Sequence, residues 1–78
     1  MIATYKFRSS SALESITHDG IALATVRFTS NPTIAYQYYP VTGAQVKRIA
    51  DSRSVGKMFH EEIRDDPEIT MIRKIPIC

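Results

Sequence analysis

The chain has 78 residues, ten Lys and Arg against eight Asp and Glu, and one cysteine, Cys78, at its end. That length makes one domain, whose folding buries only about 60 to 65 percent of the surface an unfolded chain exposes, so the core is small and a homo-oligomer is expected. A lone cysteine excludes an internal disulfide or a cysteine metal cluster and fits a reducing, cytoplasmic setting. No apolar run approaches the roughly 18 residues of a membrane span, and the start lacks the basic-then-apolar order of a signal peptide, so no membrane partner is expected.

A formal charge of +2 is too small to announce a nucleic-acid binder, but the charge is divided. Residues 41–57 hold four cations (Lys47, Arg48, Arg53, Lys57) and one acid (Asp51), whereas residues 58–68 hold five acids (Glu61, Glu62, Asp65, Asp66, Glu68) and one cation (Arg64). Such a division favours head-to-tail self-association or a localised anion pocket over a continuous phosphate track, although two unrelated solvated faces produce the same pattern.

In chain order, residues 1–7 alternate with Ala3, Tyr5 and Phe7 on one side, a first strand, and the serine-rich residues 8–11 break the pattern with hydroxyls that can close a turn, the preferred reading, or contact a ligand. Residues 13–18 are a second strand, and Asp19-Gly20 predicts a two-residue hairpin turn into a third strand over 21–29. There Ala22, Ala24, Val26 and Phe28 share a face. Ser30, Asn31 and Pro32 turn the chain into a fourth strand over 33–39, with Ile34, Tyr36 and Tyr38 on one face and Ala35, Gln37 and Tyr39 on the other. A strand tyrosine usually buries its ring and leaves its hydroxyl at the rim, but Tyr36 and Tyr38 are also candidates for a platform on which a base could stack. Pro40 ends this meander.

Thr42 with Gln45 three residues later forms a capping box, flanked by Val41 and Val46 as a hydrophobic staple. It predicts a helix from Gly43 to about Asp51, with Val46, Ile49 and Ala50 inward and Lys47 and Arg48 at the surface. A second helix is predicted from an N-cap at Ser54, with Val55, Met58, Phe59, Glu62 and Ile63 at helical spacing, fraying from Arg64 before Pro67. Its first turn offers unpaired N–H groups and a partial positive charge beside Arg53 and Lys57, a place for an anion around Arg53, Ser54, Gly56 and Lys57. The plainer account is that Ser54 only caps, Gly56 only permits close packing and both cations are solvated. In the tail, Ile69, Met71, Ile75 and Ile77 share a face of a fifth strand, and Pro76 makes it an edge strand. Such an edge would be covered by the parent sheet, exchanged with another subunit, or paired edge to edge. The expected class is therefore α+β: an antiparallel meander of four to five strands, two short helices and a C-terminal edge strand in one domain.

Catalysis has little support. His60, Glu61 and Glu62 are adjacent on a helix and point apart, and His18 is too far along the chain to make an H-E-x-x-H zinc pair. Cys78 has no local activating group and the serines have no evident base. Neither an enzyme, a metal site nor a cofactor is expected.

Ser10 and Ser11, the run LESITHDG from Leu13, the strand ATVRF, the Tyr36-x-Tyr38 pair, the Pro-Val entry to a helix and the segment IADSRSVGKMFHEEIRD together resemble the KTSC domain. Its most distinctive portion, A-x-S-x-S-x-G-x-x-F, falls on Ala50, Ser52, Ser54, Gly56 and Phe59, followed by Ile63 and Arg64. The resemblance covers roughly residues 10–65, and the chain departs from it at His18, where the family often carries an aromatic, and in its additional strands. It implies a small protein of a kind often encoded by phages, or fused to lysyl-tRNA synthetases, without a settled biochemical role. Two functions follow as expectations. One is a non-enzymatic protein that binds an anionic, nucleotide-like small molecule through Arg53, Ser54, Gly56, Lys57, Tyr36 and Tyr38, which in a phage setting means anti-defence sequestration of a nucleotide signal. The alternative is a module that binds RNA or a protein partner.

Overall fold

The computed structural model describes residues 2–7 and 12–77; the expected turn at 8–11 and Cys78 lie outside them. The architecture is α+β. Strands β1 (Ala3–Lys6), β2 (Leu13–His18), β3 (Ala24–Phe28), β4 (Asn31–Tyr39) and β5 (Thr70–Pro76) form one antiparallel sheet in that order, with helices α1 (Gly43–Ala50) and α2 (Val55–Phe59) inserted between β4 and β5. A π-helical turn, His60–Arg64, continues α2. No helix among the described residues is long and apolar enough to cross a membrane.

One face of the sheet carries the apolar set. Leu13, Ile16, Ala24 and Val26 meet Val46 and Ile49 of α1, Phe59 of α2 and Ile63 of the π turn, all essentially without solvent contact. Each fully buried Leu, Ile, Val or Phe contributes on the order of 1.5 to 3 kcal/mol. The opposite face is polar: Thr4, Thr17, Thr25, Gln37 and Arg73 line up across all five strands. There Gln37 Nε2 donates to Thr25 Oγ1 at 3.3 Å, and the Thr4 and Thr17 hydroxyls lie 3.1 Å apart. A half-buried antiparallel sheet with this alternation is what the period-two pattern dictates.

The entry to α1 follows its sequence signature. Thr42 Oγ1 accepts from the Gln45 N–H at 3.1 Å and Gln45 Oε1 accepts from the Thr42 N–H at 2.9 Å, while Val41 and Val46 are fully buried beside them.

Several expectations are corrected. Asp19-Gly20 is not a two-residue turn: β3 begins at Ala24, not at residue 21, and residues 19–23 form a loop closed by the Asp19 carboxylate. Asp19 Oδ1 accepts from the N–H groups of Ile21, Ala22 and Leu23 at 2.8, 2.9 and 3.0 Å, so the aspartate organises a wider loop, while Gly20 takes the positive φ of 90°. Strand β4 starts at Asn31, which pairs with Phe28, so the turn is Thr29-Ser30, and residues 32–34 are extra on the β4 side of a bulge. Pro32 falls where no ladder N–H is needed.

Ser54 does not cap α2 through its side chain. Instead Ser52 Oγ accepts from the Ser54 N–H at 3.1 Å and donates to the Ser54 carbonyl at 3.2 Å, fixing the turn before the helix. The second helix is also not uniform, since the Asp65 N–H donates to the His60 carbonyl at 2.8 Å, five residues back. In the tail, Tyr38 pairs with Met71 but Gln37 with Arg73, leaving Ile72 as a bulge. That extra residue reverses the alternation, so Met71 lies on the Tyr38 side and Ile75 on the Ala35 side, rather than sharing one face.

Candidate binding groove

The groove is built on β4. Tyr36 and Tyr38 point to the helix side, opposite Val26 and Ala24 of β3 and opposite Lys74 and Met71 of β5. Phe59 is the fixed wall behind them. It is 1% exposed, and its ring meets Phe28 and Tyr38 edge to face with centroids 5.5 Å from each, while Phe28 meets Tyr36 in the same manner at 5.2 Å. Such pairs add about 0.5 to 1.5 kcal/mol beyond burial and hold the rings in one arrangement. Tyr36 and Tyr38 are half-buried.

Around these rings lies a cavity of about 480 Å³, bordered by Ser30 of the turn and Asn31 at the start of β4, by Ile63 and Arg64 of the π turn, and by Ile69, Met71 and Lys74 of the returning chain. Lys74 Nζ sits 5.8 Å from the Tyr36 ring centroid, within cation–π range. Burial pushes the Tyr38 phenol above its ordinary range, with nearby Arg64 pulling the other way. The phenol therefore remains a protonated donor across physiological pH. Arg64 and Lys74 are both exposed, and neither has a salt-bridge partner among the described residues. Among the described residues no lining residue is an acid, although residues 58–68, which contribute Ile63 and Arg64 to the lining, hold five acids. An aromatic floor with a guanidinium and an ammonium at its rim suits a planar ring that bears negative charge.

Of the residues singled out from sequence, Tyr36 and Tyr38 line this groove, whereas Arg53, Ser54, Gly56 and Lys57 do not. Arg53, Ser54 and Lys57 are exposed at the start of a helix only five residues long. Gly56 has a packing role sufficient on its own, since a Cβ added there would lie 2.7 Å from the Ala12 Cβ. Arg64 and Lys74 were missed because nothing local distinguishes them: Arg64 is the lone cation in an acidic run, and Lys74 depends on the bulge at Ile72 for its place beside Tyr36. Strand alternation traced through the bulge is the signal that would have found Lys74.

Away from the groove, polar side chains tie the elements together. Arg48 donates to Glu62 through both Nε and Nη2, at 2.9 and 3.1 Å, and this partner raises the guanidinium pKa. Gln45 Nε2 donates to the Glu62 carbonyl at 3.2 Å, so α1 and the π turn are tied twice. His18, 4% exposed, donates from Nε2 to the Val41 carbonyl at 2.7 Å and accepts the Gly20 N–H at Nδ1 at 3.0 Å. Among the described residues no three His, Cys, Asp or Glu side chains come together to hold a metal ion. Comparison with known families found no family model that matches the chain, and a search of curated proteins found no match either.

Proposed function

We propose that this chain is a non-enzymatic binding protein for an anionic, nucleotide-like small molecule, which it holds rather than converts. The observation that carries the reading is the coincidence, in one cavity, of Tyr36 and Tyr38 with Arg64 and Lys74 and without any acid. A base ring stacked against an aromatic side chain contributes about 1 to 3 kcal/mol, and a charge-assisted hydrogen bond to a phosphate about 1.5 to 3 kcal/mol. Among the described residues the lining carries no histidine or carboxylate, and its charged groups are the two cations, which suits the holding of an anion. The proposal keeps the resemblance to the KTSC domain and, with it, anti-defence sequestration of a nucleotide signal in a phage setting.

A second reading, RNA binding, is favoured by the polar sheet face, where the hydroxyl row ends on Arg73 and Lys6 lies one row away. One experiment separates the two: calorimetric titration of a nucleotide panel and a short RNA into the intact protein and its variants. Lys74→Ala and Arg64→Ala should each weaken nucleotide binding by about 1.5 to 3 kcal/mol, and Lys47→Ala should not. Equal losses at Arg53→Ala and Lys57→Ala would move the site to the start of α2. Tight RNA binding lost on Arg73→Ala alone would move it to the sheet face.

A further inference from the structure

We propose that β5 is the contact surface for a second copy of this chain, the two copies being related by a two-fold axis with their β5 strands antiparallel. Strand β5 is the sheet edge, six of its seven residues are exposed, and Met71 and Ile72 are 41% and 53% exposed. Exposed apolar residues on an edge strand form a surface that natural proteins cover or guard.

The charge order along this segment selects the occupant. Acids come first (Asp65, Asp66, Glu68), the apolar residues Ile69, Met71 and Ile72 follow, and cations come last (Arg73, Lys74). An antiparallel second copy sets the acidic end of each chain against the basic end of the other, twice by symmetry. A parallel copy sets like charge against like. The other edge strand, β1, carries Lys6 and no acid, so stacking of β5 on the β1 of a further copy gives its cations no complement.

The groups for this exchange are accessible. Glu68 and Arg73 are both exposed, and neither has an ion-pair partner among the described residues. Asp66 is committed to the local turn through the Glu68 N–H at 2.9 Å, and Lys74 to the neighbourhood of Tyr36. Glu68 and Arg73 therefore carry the specificity. Pro76, which lacks an N–H, and the bulge at Ile72 interrupt ladder growth, so the copies join through side chains of residues 68–73 and close as a pair instead of extending a sheet. Met71 borders both the groove and this contact, but the contact follows from the exposed edge and its charge order whether or not the groove binds a nucleotide.

The test is sedimentation velocity of the intact chain across the micromolar range, with circular dichroism to verify folding. The unmodified protein should form a dimer. Glu68→Lys and Arg73→Glu should each weaken it about tenfold or more, because each places like charges opposite one another. The double variant E68K/R73E should regain the dimer, and an equimolar mixture of the two single variants should form a heterodimer. A chain that stays monomeric throughout, a dimer indifferent to both reversals, or losses that the charge swap does not restore would each overturn the proposal.

Discussion

At Gly56 two residue-scale effects oppose one another. Alanine in a helix is favoured over glycine by up to about 1 kcal/mol, yet a Cβ at this position meets the Ala12 Cβ at 2.7 Å. Overpacking of this kind costs about 1 to 3 kcal/mol, so Gly56→Ala should lower stability by about 1 kcal/mol in chemical denaturation. A stabilised variant would show that the Ala12 segment yields freely. Asp19 supplies the pH-dependent residue. Its carboxylate accepts three backbone N–H groups, chiefly those of Ile21 and Leu23, and is held below its ordinary value of 3.8. A depressed folded-state pKa gives stability that is fully present above the unfolded value and lost as pH falls through the folded one. The stability advantage over Asp19→Asn should accordingly be constant near neutrality and shrink in acid below about pH 4. An advantage unchanged down to pH 2 would contradict this assignment of the loop. The sequence left Gly56 open between close packing and a ligand contact, and only the Ala12 contact decides for packing, whereas the role of Asp19 was not legible, because Asp-Gly reads first as a tight hairpin.

Elements were legible where the signal was local. The Thr42–Gln45 capping box and its valine staple specify where α1 begins, and all four residues take the predicted places. Thr42→Ala should lower stability by about 1 kcal/mol, with amide exchange increasing first in the first turn of α1; an undisturbed first turn would mean that packing of Val46 alone fixes the helix start. The alternation likewise grouped Ala24 with Val26 in β3, which are buried together, and Tyr36 with Tyr38 in β4, which share the helix side of the sheet. What failed were the irregularities. The Ile72 bulge, set by its register against the distant β4, and the turn closed by the Asp65 N–H on the His60 carbonyl each insert one residue without a compositional mark. Both irregularities border the groove. They place Lys74 beside Tyr36 and Arg64 at the rim, which is why the tyrosines were found from sequence and their cations were not.

For the whole molecule, a small one-sided sheet leaves two surfaces open: the groove beside β4, and the edge at β5 that forms its outer wall. The core accounts for the packing of Phe59, but it does not require a cation over Tyr36, a second cation in the lining or the absence of acids from it. The measurement that bears most directly on the groove is chemical-shift mapping of the intact, isotope-labelled protein during titration with purine and pyrimidine nucleotides and with inorganic phosphate. Nucleotides should move resonances of Ser30, Asn31, Tyr36, Tyr38, Arg64 and Lys74 together, with phosphate alone moving Arg64 and Lys74 more weakly. Shifts confined to Arg53 through Lys57, or none with any nucleotide, would contradict the account.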